Sequence, residues 1–572
     1  MAIASVFLHF WKLASAPPGF YGDECSIAYN AYCIAKTGAD EYGVRWPIFF
    51  RSFDTYMDSI NVYSAAVPIH MFGLHRWAAR MPSGLYCCVA CAAFFILLRA
   101  WGLGVWFALG GSLVLSLIPW IFPLSRNAAY GGLMAAFFGM ITALLCLDIA
   151  LRWRSIGYAV VSGVTGAFAV YASRNIVPIL VLFAVGGGVV MGRALLRRWR
   201  VVGAAFVSGL IVLLPFVISA LRFPQALTAR FEQVGIMREA HSPQELVLGA
   251  ASRYLDYFSP KLLFISGDRD LRHHTGWNGG LSWYLVPLVM AGLYATIRFW
   301  RLQPRYRMVL VGLLISPIPA VLTVDRMHGP RSAYATIFWV LLAVLGARWL
   351  WRRGGSWRKL VLVTVCAGAV ESALYLHNYF GAYQTQSRPS FNAELGESLE
   401  YCFQRLRDDQ MLYISPSTFS FNGAIVDSEL KPWLYMYVLF YGKIDPHKYQ
   451  QKGLPPDRVQ LYNGIAHRSG LLLRSNCFYW WDRGADHQAY VAPDNLPLPV
   501  GARLVNFVIF AAPYSFLQYQ VFEIPGSTQR PLFDYQPARR RNTQPQSLEH
   551  RPQYSYISVA SECFLFLGPW EH

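Results

Sequence analysis

The sequence predicts an all-α, multi-pass membrane protein with a small α/β domain at its C-terminal end. Composition predicts the membrane part: 55% of the 572 residues are hydrophobic and only 14% are charged, whereas soluble domains carry about 25% charged residues. The shortage of charge is concentrated in apolar runs close to the ~20 residues that cross a bilayer. Because a helix satisfies its own backbone hydrogen bonds in hydrocarbon, each run is predicted to be a spanning helix.

The apolar runs predict about eleven spans, within a membrane domain over residues 1–376. The first span is short and contains Lys12, so we expect the true start of the chain to lie further upstream. The predicted spans are 2–15, 82–98, 103–122, 131–151, 156–172, 175–192, 201–221, 281–297, 308–324, 332–350 and 360–376.

Two loops between the spans are long enough to carry a function, namely residues 16–81 and residues 222–280. Within the first, residues 62–74 are apolar but too few to cross a bilayer. Such a length is typical of a helix that lies at the membrane interface.

The tail over residues 377–572 turns polar and aromatic, and is predicted to be an accessory domain outside the membrane. Residues 392–408 have the pattern of an amphipathic helix, and residues 411–415 and 504–511 have that of strands. These elements predict a small α/β domain. Residues 535–553 are rich in Pro, Gln and Arg and predict a loop.

The net charge of +18 is distributed in a way that indicates topology, not nucleic-acid binding. The short loops after alternate spans contain basic residues and no acidic ones, while the opposite loops mix both signs. Positive residues are retained on the cytoplasmic side, so the basic loops are predicted inside and the two long loops and the tail outside. The basic residues are Arg99, Arg152, Arg154, Arg193, Arg197, Arg198, Arg200, Arg298, Arg301, Arg305, Arg307, Arg348, Arg352, Arg353, Arg358 and Lys359.

The acidic pair Asp23 and Glu24 directly follows the first span, where a reacting group could meet both lipid and water. Taken alone, such a pair is more often a solvated surface or a charge at a helix N-terminus. The later pair Asp40 and Glu41 in the same loop shows that acidic pairs need not mark a site.

An ordered set of short motifs lies on the side predicted to be outside. In chain order these are Gly22-Asp23-Glu24, Tyr29-Asn30-Ala31-Tyr32, Thr37-Gly38-Ala39-Asp40-Glu41-Tyr42-Gly43, Arg51-Ser52-Phe53-Asp54, Pro119-Trp120, Ser125-Arg126, Tyr171-Ala172-Ser173-Arg174, Phe258-Ser259-Pro260, Gly267-Asp268, Leu271-Arg272-His273-His274, Pro317-Ile318-Pro319-Ala320, Leu322-Thr323, His328 and Arg331-Ser332. Over about residues 1–380, this set resembles the bacterial protein O-mannosyltransferase-like enzymes of the GT-C superfamily (glycosyltransferase family 39 type). It resembles more distantly the lipid A aminoarabinose transferases.

The resemblance implies an inverting glycosyltransferase that moves a sugar from a polyprenyl-phosphate donor to an acceptor hydroxyl on the extracytoplasmic face of a prokaryotic inner membrane. It implies that Asp23 is the general base and that Glu24 orients Asp23 or the acceptor. The leaving lipid phosphate needs cations. Its candidate ligands are Arg126, Arg174, Arg272 and Arg331, with Asp54, Tyr56, His273, His274 and His328 as supporting residues.

Two departures from the family pattern bear on the site. Family members commonly carry Lys after the tyrosine that follows the Phe-Asp turn, whereas here Met57 follows Tyr56. Many also carry a Glu shortly after the Ser-Arg motif, where this chain has Ala129-Tyr130-Gly131. The spacing of His and Cys on the outer side also predicts no metal site. We therefore expect no tightly bound cofactor beyond the lipid-linked sugar, and the sequence leaves a metal requirement open.

The expected partners are the polyprenyl-phosphate sugar, membrane lipids, and a glycan, lipid or protein acceptor, without nucleic acid. A transporter or flippase of lipid-linked sugar is the alternative from another class. Transporters usually contain internal repeats and ionisable residues in the middle of spans, whereas here Asp148 and Glu371 lie near span ends. A non-catalytic relative that binds a polyprenyl lipid is the second alternative.

Overall fold

The computed structural model describes residues 2–53, 55–238, 242–415, 434–455, 457–462, 466–475, 477–481, 489–493, 498–509 and 518–525. The chain divides into two compact units, Met1–Phe391 and Asn392–His572. The first unit extends beyond the predicted boundary at position 376 because its last long helix continues to Phe380. Beyond that helix, Phe391 still packs on Tyr21, with ring centroids 5.8 Å apart.

Over its described residues, the first unit contains helices and one antiparallel hairpin, β1 (Phe49–Ser52) and β2 (Thr55–Asp58). Its helices are α1 (Ala2–Phe10), α2 (Gly22–Thr37), α3 (Ser59–Phe72), α4 (Arg76–Ala100), α5 (Val105–Leu117), α6 (Gly131–Trp153), α7 (Ile156–Ala172), α8 (Val177–Leu196), α9 (Trp199–Arg222), α10 (Gln225–Val234), α11 (Pro243–Asp256), α12 (Val286–Arg298), α13 (Pro304–Ile315), α14 (Ile318–Val321), α15 (Gly329–Ser332), α16 (Ala335–Arg353), α17 (Gly355–Phe380) and α18 (Ala382–Gln386).

Every predicted span contains a helix, but several helices are shorter than predicted. Among the described residues, six helices are long and apolar enough to cross a membrane, namely Arg76–Ala100, Ala128–Trp153, Arg174–Leu196, Trp199–Arg222, Ala335–Arg353 and Gly355–Gln386. Proline accounts for two of the shortened spans by two different effects. Ile118, which precedes Pro119, is extended, because a proline drives the residue before it out of the helical region. Ser316, which precedes Pro317, keeps helical angles, but Pro317 and Pro319 have no N–H to continue the hydrogen bonds of α13, which ends at Ile315.

The core of the first unit is centred on α16, which is buried along most of its length. Helices α4, α5 and α6 contribute to the same cluster of buried side chains. On another side, α12 packs closely on α16 because Gly292 and Gly346 face each other, and a Cβ on either would collide with the partner backbone. Small residues of this kind are how spanning helices approach each other without a hydrophobic drive between them.

The two ends of the helices in the first unit differ in charge. Arg152 at the end of α6 donates to the carbonyl of Ala100 at the end of α4, at 2.7 Å. Arg305 at the start of α13 contacts Asp148 of α6 at 3.2 Å. These arginine-rich ends therefore meet at one end of the unit, and the start of α6, 23 residues away, lies at the other.

The second unit combines helices with a mixed sheet. Its described elements are α19 (Ala393–Arg405), α20 (Leu434–Tyr441), α21 (Pro446–Lys452), β3 (Met411–Ile414), β4 (Val459–Leu461), β5 (Gly470–Ser475), β6 (Cys477–Trp481), β7 (Ala489–Pro493), β8 (Arg503–Ile509) and β9 (Gln518–Ile524). The five-stranded sheet has the order β4-β3-β5-β9-β8, in which β3 is parallel to β4 and β5, while β9 is antiparallel to β5 and β8. The predicted amphipathic helix and two strands correspond to α19, β3 and β8, and the predicted loop over 535–553 lies outside the described residues.

Candidate active site

Glu24 forms a fully buried ion pair with Arg80 at the start of α4. The Nε and Nη2 atoms of Arg80 lie 2.8 and 2.9 Å from the two carboxylate oxygens of Glu24, and both side chains have no exposed surface. The backbone N–H of Ala128 also donates to Glu24, at 2.9 Å. Because both oxygens are engaged away from solvent, these contacts favour a structural role for Glu24 over the predicted catalytic one.

Two buried arginines hold the segment that leads into α2. Arg80 donates to the carbonyls of Pro17 and Gly19, each at 2.8 Å. Arg126 donates to the carbonyls of Leu8, Trp11 and Ala16, and to the hydroxyl of Tyr379 at 3.3 Å. A buried guanidinium is tolerated only when its donors are satisfied. These contacts favour a structural role for Arg126 over the predicted contact with phosphate.

Asp23 has a different environment from its neighbour Glu24. It lies in the first turn of α2, is partly exposed, and accepts no hydrogen bond from the described residues. The N-cap of α2 is Tyr21, so Asp23 is not the cap. Burial raises the pKa of the Asp23 carboxyl, while the charges of Arg272 and Arg230 act in the opposite direction. A carboxylate with a raised pKa and no hydrogen-bond donor is a stronger proton acceptor than an ordinary surface aspartate.

Arg272 is the predicted phosphate ligand that lies beside Asp23. Its guanidinium stands over the ring of Tyr21, 5.2 Å from the centroid, and contacts Asp270 at 2.5 Å. Burial alone would raise the pKa of Asp270, but the charges of His273 and Arg272 and the hydrogen bonds from Arg272 hold it well below its usual range. The ion pair fixes the guanidinium next to Asp23, and its side chain remains about a third exposed (31%).

His273 and His328 form a second group next to this one. The Nδ1 atom of His273 lies 2.7 Å from Asp268, and its ring centroid is 4.7 Å from that of His328. The ring of Tyr130 packs edge-on against His273, with ring centroids 5.4 Å apart. Asp268, His273 and His328 each offer a metal-ligand atom, and these three atoms lie within 4.8 Å of one another.

His274 contacts the backbone of its own turn. Its Nε2 atom lies 3.1 Å from the carbonyl of Gly279, and the N–H of Gly276 donates to its Nδ1 atom at 3.1 Å. Burial lowers the pKa of His274 and so favours the neutral ring. These contacts favour a role in shaping the 267–280 turn over the predicted supporting role at the donor.

The solved structures that are similar to this chain include two of ArnT and one of an oligosaccharyltransferase. ArnT from Cupriavidus metallidurans bound to undecaprenyl phosphate has a TM-score of 0.49 and 14% identity, over 91% of this chain and 96% of that one. The apo state of ArnT has a TM-score of 0.47 and 14% identity, over 83% and 91%. The oligosaccharyltransferase AglB from Archaeoglobus fulgidus, in complex with an inhibitory peptide and a dolichol-phosphate, has 0.46 and 11%, over 87% and 74%.

No family model and no curated protein matches the chain. At these identities and TM-scores the likeness leaves the role of each residue to be inferred from the chain's own contacts.

Two further arginines that the GT-C resemblance predicted as phosphate ligands are engaged with the protein. Arg174 contacts Asp58 at 2.6 Å and donates to the carbonyl of Tyr56 at 2.5 Å, so it ties the β1–β2 hairpin to the start of α8. Arg331 donates to Thr323 and Asp325, each at 2.8 Å. These contacts favour structural roles for both.

Of the two hairpin residues that the GT-C resemblance predicted to support the site, the structure describes one. Asp54 lies outside the described residues, and Tyr56 is half-buried against the helical core. Met57, which stands where relatives commonly carry Lys, pairs with Phe50 in the hairpin. Helix α10 packs on β2 and brings Arg230 within electrostatic range of Asp23. Arg230 and Arg80 were not predicted from the sequence, although the position of Arg80 just before an apolar span was an available signal.

Proposed function

We propose that the chain is an inverting glycosyltransferase that moves a sugar from a polyprenyl phosphate to an acceptor hydroxyl. The observation that carries the proposal is Asp23: a partly exposed carboxylate without hydrogen-bond donors among the described residues, with Arg272 beside it. A general base and a neighbouring cation are the two groups that this displacement requires.

In the proposed reaction, Asp23 accepts the proton of the acceptor hydroxyl as its oxygen forms a bond to the anomeric carbon. The bond from that carbon to the phosphate oxygen breaks on the opposite side, and its electron pair stays on the phosphate. A single displacement inverts the configuration. Arg272 and Arg230 supply positive charge for the departing lipid phosphate. They take over the role of the lysine that the resembled family commonly carries at the position of Met57.

The charge asymmetry of the first unit supports a site on the extracytoplasmic face of an inner membrane. The arginine-rich helix ends meet at one end, and basic loops are retained on the cytoplasmic side. Asp23 lies near Tyr130, at the opposite end of α6. We assign the glycan, lipid or protein acceptor to that face, and residues 377–572 to an accessory domain there.

The test is turnover of the purified full chain with a panel of polyprenyl-phosphate sugars, measured as release of polyprenyl phosphate. We expect release with one sugar. Asp23→Asn should lower turnover by about 10²–10⁴-fold, the usual contribution of a general base. Asn keeps the shape and the hydrogen-bonding capacity but lacks the basicity.

Asp40→Asn is the matched control in the same loop. Asp40 accepts hydrogen bonds from the N–H groups of Tyr42 and Val44, both at 2.9 Å, and an Asn carbonyl can do the same. We expect near-normal turnover for this variant. Equal turnover of Asp23→Asn and wild type would remove Asp23 as the base. Sugar movement without phosphate release would favour the transporter.

A further inference from the structure

A three-residue cluster next to the proposed base has the composition of a metal site. Asp268 and His273 belong to the turn before α12, and His328 directly precedes α15. The three residues come from two segments far apart in the sequence, and their ligand atoms lie within 4.8 Å of one another. The spacing of His and Cys along the chain predicted no metal site, because the residues meet only through the fold.

The backbone around this cluster is fixed by hydrogen bonds. Asp268 Oδ2 accepts the N–H of Gly329 at 2.7 Å, and the N–H of His328 donates to the Tyr257 hydroxyl at 3.1 Å. The indole N–H of Trp120 donates to the carbonyl of Gly329 at 2.9 Å. Outer contacts of this kind orient metal ligands in known sites. They also bring the two segments together without any contribution from an ion.

A small pocket opens onto the same cluster, lined in part by Trp120, Leu262 and Gly280 together with Asp268 and His273. Asp268 and His273 are nearly buried, with 10% and 5% of the side-chain surface exposed, whereas His328 is half-buried. Two imidazoles and one carboxylate with an open side match three-ligand zinc sites that leave a fourth position for water or substrate.

We propose that Asp268, His273 and His328 bind a divalent transition metal, with Zn²⁺ as the preferred ion. Imidazole suits zinc and its neighbours in the first transition row, whereas Mg²⁺ prefers oxygen ligands and finds only one carboxylate here. Asp270, the next carboxylate, lies 3.8 Å from His273 Nε2 but is already paired with Arg272.

Small adjustments would accompany binding. Two ligand atoms on a tetrahedral zinc are roughly 3.3 Å apart for Zn–N distances of about 2.0–2.1 Å. Asp268 and His273, now 2.7 Å apart, would separate by about half an ångström. Binding through Nε2 of His328 would move the ring proton to Nδ1. The contact from the N–H of Arg331, which is long at 3.4 Å, would then be lost.

The position of the cluster determines what a bound ion would do at the proposed site. His273 packs on Tyr130 at 5.4 Å and lies within electrostatic range of Asp23. A divalent ion here would add positive charge beside Arg272, where the proposed function requires neutralisation of the lipid phosphate. This consequence rests on the proposed function, whereas metal binding itself does not.

The experiment is calorimetric titration of the full chain, purified in detergent with a tag that contains no histidine and stripped with a chelator. We expect one Zn²⁺ bound per chain and no saturable Mg²⁺ binding. His273→Ala and His328→Ala should each weaken Zn²⁺ binding at least about tenfold, since loss of outer-shell partners alone costs 10–100-fold. The exposed His377 of α17 gives the control, His377→Ala, with unchanged affinity.

His273→Asn and His328→Gln keep a polar side chain of similar size and guard against misfolding of the alanine variants. Their thermal unfolding in chelator should match that of the wild type. Absorption of bound Co²⁺ gives a second readout, and the absorption should be lost in both variants. No Zn²⁺ binding by the wild type, or wild-type affinity in both conservative variants, overturns the metal site. Zn²⁺ binding without sugar transfer would refute only the proposed function.

Discussion

Two adjacent acidic residues, Asp23 and Glu24, face different surroundings because successive helical residues are rotated by about 100°. Glu24 is enclosed with Arg80, whereas Asp23 is turned towards Arg272 and Tyr21. A sequence pattern identifies the pair but not the direction of each side chain. That is why the motif could be found from the sequence, whereas the buried ion pair of Glu24 with Arg80 could not be predicted. Similarly, Arg126 belongs to a recognisable Ser-Arg motif, yet only the fold brings the carbonyls of residues 8–16 to it.

From the raised pKa of Asp23, we predict how the stability of the folded chain depends on pH. A carboxyl whose pKa is higher in the folded state than in the unfolded state, about 3.9, favours folding only while it is protonated. That contribution is complete below about pH 3.9 and is lost as the pH rises through the folded-state value. Asp23→Asn should therefore unfold at a higher temperature than the wild type at pH 8.

The measurement is thermal unfolding in detergent micelles across pH, with Asp409→Asn, at a side chain that is 73% exposed, as the control. The gain from Asp23→Asn should shrink as the pH falls towards the unfolded pKa. A variant less stable than the wild type at pH 8 would contradict the pKa shift and the base that it supports.

The contact between α2 and α4 depends on one buried ion pair. Removing one partner of such a pair leaves a charge buried without compensation, which costs about 3–5 kcal/mol. We expect this loss in the free energy of unfolding for Glu24→Gln and for Arg80→Met. The double variant should lose less than the sum, because no unpaired charge remains.

An exposed ion pair gives the comparison for this double-mutant cycle of Glu24 and Arg80. Arg503 and Glu523 join β8 and β9 at 2.8 Å, with 76% and 43% of their side chains exposed. Solvent screening limits such pairs to about 1 kcal/mol or less, so Glu523→Gln should change stability little. Strict additivity at Glu24 and Arg80 would show that the two side chains act independently.

Helix positions were largely predictable, and helix ends were not. Apolar runs marked the helical part of every predicted span, since burial in lipid requires a continuous hydrophobic stretch. Proline shortens α5 and α13. Each helix therefore ends inside an apolar run that hydropathy predicts to be one continuous span. Hydropathy averages over the window and is insensitive to a single residue that redirects the backbone.

At the scale of the whole molecule, the arginine-rich helix ends predict the topology. We expect a reporter that is active only in the cytoplasm to give signal when fused after Arg198, and none when fused after Phe391. The physical reason is retention of positive loops on the cytoplasmic side. Helix α6, with 23 residues, is about 35 Å long, enough to separate the two ends across the ~30 Å hydrocarbon core.

A fusion after Arg99, in another basic loop, serves as the second cytoplasmic control. The opposite pattern at Arg198 and Phe391 would reverse the orientation and move Asp23 to the cytoplasmic face. The proposed reaction would then have to draw its donor from the other leaflet.

The contacts of Arg126 have a consequence for how the chain is made. Ala16 and Arg126 are separated by 110 positions, and a ribosome adds about 5–20 residues per second. The carbonyls of Leu8, Trp11 and Ala16 are therefore synthesised roughly 6–24 seconds before their guanidinium partner. Tyr379, the remaining partner, is made later still. The N–H of Phe20 donates to the carbonyl of Phe391 at 3.0 Å, so the segment that precedes Asp23 leaves the ribosome early but completes its hydrogen bonds only after residue 391 has been made.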